Sequence, residues 1–235
     1  MTMIASNLQQ VQARMAAACQ AAGRPVDSVL LLAISKTFGP DAVRQAAAAG
    51  QRAFGENYVQ EGIDKIAALL DLGLQWHMVG PVQSNKTRPV AERFDWVHSI
   101  DKLKTAERLG AQRPEGLAPL QVCIQVNIDG GANKSGVAPG EALALALAVA
   151  AVPRLCLRGL MVVPEPAPDF EAQKRVLAPA KALFDLISGE KGAGLGQFDT
   201  LSMGMTADLE AAVHTGSTLL RVGSAIFGQR SYAPA

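Results

Sequence analysis

The chain has 235 residues, enough for one large α/β domain with a substantial buried core. Its 22 Lys and Arg residues nearly balance 21 Asp and Glu residues, so the net charge of +1 favours neither nucleic acid nor a membrane surface as a partner. Polar and charged side chains interrupt the N-terminal region, which indicates neither a signal peptide nor a membrane span, and we expect a cytoplasmic protein.

Three cysteines, Cys19, Cys123 and Cys156, lie far apart in the sequence, and two of them fall in apolar runs typical of strands. This pattern resembles neither a disulfide framework nor a zinc site. We therefore predict reduced thiols packed in the core, and no metal site.

Helix-like and strand-like patterns alternate along the chain with short connections between them. The predicted helices cover residues 7–22, 41–49, 58–70, 84–93, 101–112, 139–151 and 170–186, followed by one that begins at Thr206 and a short one near Ser224. The predicted strands are the apolar run from Leu30 to Lys36, residues 51–57, 74–78, 96–99, 120–127 and 155–162, a short strand near Thr200, and residues 219–222.

This alternation amounts to nearly eight strand–helix pairs in one series, without internal repeats or a linker. A doubly wound sheet is compatible with it. The strand count and the length favour an α/β fold of the TIM-barrel type: a (β/α)8 barrel with an extra N-terminal helix, forming a single domain. The glycine-rich loop at 192–196 precedes a strand instead of following one, so we interpret it as a flexible connection and not as a dinucleotide-binding loop.

Lys36 ends the first predicted strand and is followed by Thr37, Phe38 and Gly39. The carboxyl ends of barrel strands meet at one mouth, where ligands bind. A lysine that leaves a buried strand loses hydration, which lowers the pKa of its amine and frees it to attack a carbonyl carbon. Lys36 is therefore a candidate Schiff-base lysine. A solvated lysine at the start of a loop would give the same local pattern.

Polar residues follow the other predicted strands and should face the same mouth. They are Asn57, His77 with Met78, His98, Asn127, Ser202 with Gly204, and Arg221 with Gly223 and Ser224. The last two groups follow strands seven and eight, where barrels commonly bind phosphate through backbone amides, hydroxyls and a helix N-terminus. A pair of glycine turns with hydroxyl caps is the alternative interpretation of these two groups. Together with Lys36, these groups predict a ligand with both an aldehyde and a phosphate, such as pyridoxal 5′-phosphate (PLP) or a phosphosugar.

Eight segments of the chain resemble the pyridoxal phosphate homeostasis proteins, which are related to the N-terminal barrel of alanine racemase. The segments are LLAISKT at 31–37, FGENYVQE at 54–61, WHMVGPVQSNK at 76–86, HSID at 98–101, QVNIDGGANKSG at 125–136, RGLMVVP at 158–164, LSMGMTADLEAAVHTGST at 201–218 and RVGSAIFG at 221–228. They extend through nearly the whole chain, and as a set they are highly specific.

The resemblance implies PLP as the cofactor, bound to Lys36 as an internal aldimine, so that Lys36 is an N6-pyridoxal phosphate lysine. It also implies that Arg221 points at the pyridine nitrogen. The remaining cofactor-binding residues that it implies are Asn57, His77 and Met78 along the ligand, Ser202, Gly204, Gly223 and Ser224 at the phosphate, and Met203. For His77, the alternative is a hydrogen-bonded histidine packed beneath the mouth.

Three further residues have less definite roles. Lys134 follows strand five, where the racemase-like pattern has a basic residue near the cofactor, so it is a candidate for that contact or for handling incoming PLP; a solvated loop lysine is the alternative. His98 and His214 receive no role. Thr206 stands where a serine is common in the family and keeps a hydroxyl that could cap the following helix.

Whether the protein is an enzyme depends on proton transfer. An arginine at the pyridine nitrogen disfavours protonation of that nitrogen and weakens the ring as an electron sink. Alanine racemases share this arginine, and a second domain supplies their catalytic tyrosine. This chain ends at Ala235 and contains two tyrosines, Tyr58 and Tyr232, so we expect no efficient two-base racemase.

We therefore expect a non-catalytic, monomeric PLP carrier that buffers intracellular PLP and takes part in vitamin B6 and amino-acid homeostasis. Its expected partners are PLP and, transiently, PLP-dependent apoenzymes. The first alternative is a weak PLP-dependent racemase or lyase acting on small amino acids. The second is a cofactor-free Schiff-base aldolase.

Overall fold

Eight parallel strands close a barrel in the computed structural model, which describes residues 2–131, 134–190 and 194–229. Each strand pairs with the next along the chain, and the last strand pairs with the first. The strands are β1 (Leu30–Ile34), β2 (Ala53–Glu56), β3 (Gln75–Met78), β4 (Trp96–Ile100), β5 (Leu120–Val126), β6 (Leu155–Val162), β7 (Thr200–Ser202) and β8 (Leu219–Val222). Closure of the sheet confirms the predicted (β/α)8 barrel and excludes the doubly wound alternative.

Helices surround the barrel, and an additional helix precedes the first strand, as predicted. They are α1 (Met3–Ala21), α2 (Pro40–Ala48), α3 (Val59–Ala68), α4 (Thr87–Arg93), α5 (Leu103–Gln112), α6 (Pro139–Ala150), α7 (Phe170–Ser188), α8 (Leu209–Thr215) and α9 (Ser224–Phe227). The additional helix α1 packs on the end of the chain: Asn7 Nδ2 donates to the carbonyl of Ile226 at 3.1 Å, and Arg14 forms an ion pair with Glu210 at 2.8 Å.

Some helix starts differ from the sequence predictions because other residues cap them. Helix α1 begins at Met3 instead of residue 7, since Thr2 Oγ1 accepts a hydrogen bond from the N–H of Ala5 at 3.2 Å. Gly39 is the N-cap of α2 and Pro40 is its first residue, so Asp41 is not the cap but an acidic group in the first turn. Helix α5 begins at Leu103, two residues after the predicted start.

The prediction that Thr206 begins and caps helix α8 is wrong. The helix begins at Leu209, and Thr206 lies in the turn that precedes it. In that turn Asp208 Oδ1 accepts a hydrogen bond from the N–H of Met205 at 2.6 Å. Residues 205–207 are therefore held as a loop at the carboxyl end of the barrel.

The apolar run of β1 follows from burial on both faces. Leu32 and Ile34 pack together inside the barrel, whereas Leu31 and Ala33 pack in the layer between the strands and the helices. Because neither face meets water, no polar residue alternates with the apolar ones. Continuing this alternation past the end of the strand directs Lys36 to the same side as Ile34, toward the barrel mouth.

The cysteines occupy apolar positions with one exception. All three are free thiols; Cys19 and Cys123 are fully buried, as predicted. Cys156 is only half-buried, and its thiol donates to Gln197 Oε1 at 2.9 Å, so the prediction of a core thiol is wrong there.

A row of hydrogen-bonded polar side chains crosses the barrel interior. Arg221 Nη1 lies 2.8 Å from Ser202 Oγ, which lies 3.0 Å from His98 Nδ1. His98 Nε2 lies 2.9 Å from His77 Nδ1, and His77 Nε2 lies 3.0 Å from Gln75 Oε1. Residues from β3, β4, β7 and β8 thus form one continuous polar row.

One assignment of protons gives every hydrogen bond in this row a donor and an acceptor. The Gln75 oxygen can only accept, so the proton on His77 is assigned to Nε2, and His77 Nδ1 then accepts from His98 Nε2. His98 Nδ1 consequently accepts from the Ser202 hydroxyl, whose oxygen accepts from Arg221. Both histidines are neutral in this arrangement.

Burial keeps the two histidines neutral. It lowers the pKa of His77 well below its ordinary value, and the pKa of His98 is lowered to about 3 by burial and by the positive charge of Arg221. Arg221 is consequently the charged member of the row at neutral pH.

We expect His98→Gln to reduce the acid sensitivity of folding. The unfolded chain takes up a proton near the ordinary histidine pKa of about 6.5, whereas folded His98 stays neutral down to about pH 3. Between these values the free energy of unfolding falls as the pH falls, by up to about 1.4 kcal/mol per pH unit for each such histidine. Glutamine keeps one donor and one acceptor, so urea unfolding between pH 6.5 and 4 should show a shallower decline than the parent protein. Identical slopes would show that His98 is not a neutral buried group.

Candidate functional site

A cavity of about 370 Å³ opens at the carboxyl ends of the barrel strands. This volume lies within the range of small-molecule sites, roughly 300–1,000 Å³. The cavity is lined by Ile34, Lys36, Phe38, Asn57, Val79, Val163, Met205, Thr206, Ala207, Arg221, Gly223, Ser224 and Gly228. It therefore combines a largely apolar wall with a few polar groups.

Five of the predicted site residues line this cavity: Lys36, Asn57, Arg221, Gly223 and Ser224. They follow or belong to β1, β2 and β8, which are neighbours because β8 pairs with β1 at the closure of the barrel. The half-buried Lys36 lies two residues after the end of β1, because the strand ends at Ile34 and not at Lys36 as the sequence predicts. The barrel thus brings together residues that lie up to 188 positions apart, from 36 to 224.

The other five predicted residues are buried behind the lining. They are His77, Met78, Ser202, Met203 and Gly204. Met78 and Met203 pack in the apolar layer between strands and helices, whereas His77 and Ser202 belong to the polar row inside the barrel. Gly204 has a φ of +92°, and a Cβ atom there would lie 2.3 Å from Ala212 Cβ, so the fold itself requires glycine.

Arg221 connects the polar row to the cavity. Its Nη1 donates to the carbonyl and hydroxyl oxygens of Ser202 at 2.7 and 2.8 Å, and its Nη2 donates to the carbonyl of Val162 at 2.8 Å. A guanidinium has five N–H donors, so within the described residues Nε and one hydrogen on Nη2 remain for a ligand. Burial lowers the pKa of Arg221 to about 10, which leaves it charged at neutral pH.

Small and hydroxyl-bearing residues border the cavity beside Arg221. A Cβ atom on Gly223 would lie 3.1 Å from the carbonyl oxygen of Ile34, so glycine allows this turn to approach the end of β1 closely. Ser224 and Thr206 add hydroxyl groups to the lining. Helix α9 is a single turn of four residues. The N–H groups of Ile226 and Phe227 donate to the carbonyl of Gly223, whereas those of Ser224 and Ala225 have no acceptor within the helix.

Lys134 lies at a second, smaller cavity of about 230 Å³, which shares Val163 with the first and includes Asn127. Its ammonium contacts Asp129 Oδ2 at 2.6 Å and Glu165 Oε1 at 2.9 Å. Partial burial opposes protonation, but the hydrogen bonds to these two carboxylates raise the pKa of Lys134 above its ordinary value. Lys134 is therefore a paired ammonium, near the main cavity but outside its lining.

Sequence reasoning missed two features of the site. It assigned no role to His98, which links His77 to Ser202 inside the barrel. The available signal was its position two residues after Trp96 on one strand, which places both side chains on the same face. It also missed the turn at residues 205–207, because it began a helix at Thr206.

The described ranges contain no cluster of three or more His, Cys, Asp or Glu side chains that could hold a metal ion. In the same ranges, no helix has the length and apolarity needed to cross a membrane. The loop at 192–196 and the tail that contains Tyr232 lie partly or wholly outside the described residues.

The family model described as the alanine racemase N-terminal domain matches residues 6–231 of this chain. Curated relatives match along their full lengths. A pyridoxal phosphate homeostasis protein of Pseudomonas aeruginosa is 55% identical over 100% of both chains, and one of Escherichia coli is 49% identical over 98% of both.

Solved structures agree with this assignment. PipY of Synechococcus elongatus without PLP superposes with a TM-score of 0.83 at 37% identity, covering 96% of this chain and 100% of that chain. A second PipY structure, with PLP bound, superposes with a TM-score of 0.82 at 35% identity over the same shares of the two chains. An alanine racemase of Corynebacterium glutamicum, 20% identical, superposes with a TM-score of 0.70 over 97% of this chain and 61% of that chain, and shows the shared fold alone. The family model thus covers nearly the whole chain, and the two curated relatives are about half identical to it. The chain therefore belongs to the pyridoxal phosphate homeostasis proteins, whose barrel is that of the alanine racemase N-terminal domain.

Proposed function

We propose that this protein binds PLP in the 370 Å³ cavity and carries and buffers it, and so takes part in intracellular vitamin B6 and amino-acid homeostasis. One observation carries the proposal: a single cavity contains the strand-end lysine Lys36, the buried guanidinium of Arg221 and the donor-rich turn at Gly223 and Ser224. The printed names of the curated relatives and the PLP bound to PipY support the same ligand.

The donor groups of the cavity fit PLP. When bound, PLP supplies an aldehyde, a pyridine nitrogen that accepts a hydrogen bond, and a phosphate. Lys36 offers an amine to the aldehyde, and Arg221 offers N–H groups to a ring nitrogen. The hydroxyls of Ser224 and Thr206 and the backbone amides at the start of α9 offer donors to the phosphate.

We propose that Lys36 holds the ligand as a Schiff base. Its amine condenses with the aldehyde carbon, one water molecule is lost, and the reverse reaction with water releases the ligand. Reversibility suits a carrier, because the same residue both retains and returns its cargo. The apolar side chains of Phe38, Val79 and Val163 line the same cavity and limit access of water to that bond.

Arg221 favours binding over catalysis in this proposal. Its permanent charge opposes protonation of a neighbouring ring nitrogen, and the unprotonated ring draws electrons less strongly. The polar row holds the guanidinium through Ser202, so we propose that Ser202 acts on the ligand through Arg221. Direct contact of His77, Met78, Ser202, Met203 and Gly204 with PLP stays a prediction.

The ionisable groups of the cavity also support a carrier. Among the described residues, Lys36 and Arg221 are the ionisable side chains in the lining. A two-base racemase needs a proton donor on each face of the substrate carbon, and a lysine supplies one. A weak racemase or lyase remains the second candidate, because the family model of the alanine racemase N-terminal domain matches residues 6–231.

Other parts of the proposed role concern partners and location. We propose that Lys134, at the smaller cavity, assists incoming PLP, and that PLP-dependent apoenzymes receive it in transient complexes. Three free thiols are typical of a reducing compartment, which supports a cytoplasmic location. The monomeric state stays a prediction.

We expect Lys36→Ala to abolish the visible absorption band of lysine-bound PLP, because the variant lacks the amine that condenses with the aldehyde. After reconstitution with one equivalent of PLP, borohydride reduction and peptide mass spectrometry should find the label on Lys36 in the parent protein. Lys174→Ala removes a partly exposed lysine of α7, outside the cavity lining, and should keep both band and label. A band that persists in Lys36→Ala would refute the assignment. A parent protein that takes up no PLP would favour the aldolase reading.

We expect Ser224→Ala to weaken binding of PLP but not of pyridoxal, which lacks the phosphate. Loss of one hydrogen bond to a charged group is worth about 1.5–3 kcal/mol, so the dissociation constant for PLP should rise by at least about tenfold. Equilibrium dialysis with both ligands measures the difference. Equal losses for the two ligands would place Ser224 away from the phosphate.

We expect the PLP-loaded protein to catalyse no appreciable exchange of the alanine α-hydrogen with solvent deuterium. The expectation follows from the described lining, in which Lys36 and Arg221 are the ionisable side chains and Arg221 keeps its charge at neutral pH. Proton NMR of alanine in deuterated buffer detects the exchange, and an authentic alanine racemase is the positive control. Rapid exchange that disappears in Lys36→Ala would support the racemase or lyase candidate instead.

A further inference from the structure

A buried group of charged side chains lies directly behind Lys36. We call it the Lys65 cluster; it comprises Ser35, Glu56, Glu61 and Lys65. The ammonium of Lys65 donates to Glu56 Oε1 at 2.7 Å, to Glu61 Oε1 at 2.6 Å and to the carbonyl of Ser35 at 2.6 Å. The Ser35 hydroxyl donates to Glu56 Oε1 at 2.5 Å. All three ammonium hydrogens therefore have acceptors.

Two bonds of the cluster end on the backbone on either side of Lys36. Lys65 holds the carbonyl oxygen of Ser35, and Glu61 Oε1 accepts a hydrogen bond from the N–H of Thr37 at 2.5 Å. The peptide units that flank Lys36 are therefore both tied to helix α3.

The backbone at Thr37 is in an unfavourable conformation. Its φ is +70°, in the left-handed region that β-branched residues rarely adopt. The hydrogen bond from its N–H to Glu61 fixes this conformation where the intrinsic preference of threonine opposes it. The turn therefore directs the chain away from β1 immediately after Lys36.

Stability alone does not account for the Lys65 cluster. Glu56 is fully buried, its Oε2 has no hydrogen-bond partner among the described residues, and burial raises its pKa. Removing two charges from water costs as much as their attraction returns, so an apolar pair would stabilise the barrel equally well. Unlike an apolar pair, these charged side chains form hydrogen bonds to the backbone on either side of Lys36.

We propose that Glu61, anchored by Lys65, is a positioning residue for Lys36. It holds the peptide unit after Lys36 so that the amine enters the cavity in the direction needed to reach the aldehyde of the ligand. The inference rests on the proposed role of Lys36 in binding PLP. Without the carboxylate, the turn at Thr37 relaxes, and binding must again order the lysine.

Glu61 can be altered without leaving a charge buried alone. Its side chain is 26% exposed, and Lys65 keeps Glu56 as a partner. Glu61→Ala removes the acceptor for Thr37, whereas Glu61→Gln retains a carbonyl oxygen there. Asp64→Ala is the matched control, because Asp64 is an exposed acid on the same helix, bonded to Gln60 at 2.9 Å.

We expect Glu61→Ala to raise the dissociation constant for PLP about tenfold, the loss that one charge-assisted hydrogen bond accounts for. Glu61→Gln should restore most of this loss, and Asp64→Ala should match the parent protein. A purely structural role would lower the urea midpoint of the PLP-free protein and leave the affinity of its folded fraction unchanged, which would overturn the proposal. Equal affinities in Glu61→Ala and Asp64→Ala would overturn it as well.

A second substitution tests the role of the turn. Glycine adopts a positive φ without strain, so Thr37→Gly should make the turn less dependent on Glu61. The affinity loss caused by Glu61→Ala should therefore be smaller in the Thr37→Gly background, and equal losses in both backgrounds would contradict positioning through this turn. Lys36→Ala separates the two proposals. If this variant keeps the absorption band, the proposed role of Lys36 fails. If it loses the band but Glu61→Ala leaves the affinity for PLP unchanged, only the positioning role of Glu61 fails.

Discussion

The pairing of β8 with β1 is the contact on which the site depends. It sets Leu32 beside Arg221 and Ala33 beside Val222, so the end of the chain lies against its first strand. The lysine after β1 and the turn after β8 then share one cavity, although most of the sequence separates them. Gly223 permits this close approach, because a larger residue would press on the carbonyl of Ile34. An open sheet of the same strands would leave these two edges far apart.

Charge is distributed unequally on the two sides of this contact. Inside the barrel, the histidines stay neutral and Arg221 keeps its charge, so the polar row orients one cation at the cavity floor. Outside the barrel, behind β1, the Lys65 cluster buries charges of both signs and ties them to the backbone around Lys36. Both networks use hydrogen-bonded polar groups that fix a single geometry. The polar row ends at Arg221 in the cavity lining, and the Lys65 cluster ends on the backbone at either side of Lys36.

The groups that line the cavity support the proposed retention and release of a ligand. The cavity lining offers a ligand an amine, a guanidinium and a donor-rich turn, and the Schiff base that we propose at the amine would be reversible. Among the described lining residues, Lys36 and Arg221 are the ionisable side chains, whereas a two-base racemase needs a proton-transfer group on each face of the substrate carbon. The ammonium of Lys134 forms ion pairs with Asp129 and Glu165, so we do not expect Lys134 to act as the amine that we propose for Lys36.

The sequence by itself determined the barrel, the order of its elements and the position of Lys36 at the end of β1. These features follow from local periodicity and from turn residues, which act over a few neighbours. It did not determine which polar residues reach the cavity, because a strand's alternation and the closure of the sheet decide whether a side chain faces the mouth, the interior or the helices. Met78 and Met203 pack between the strands and the helices, and Thr206 lies in a turn that lines the cavity. His98 is hydrogen-bonded in the polar row, whose residues come from four different strands. Only the tertiary structure placed Glu61 and Lys65 behind Lys36, since their contacts cross from helix α3 to the end of β1.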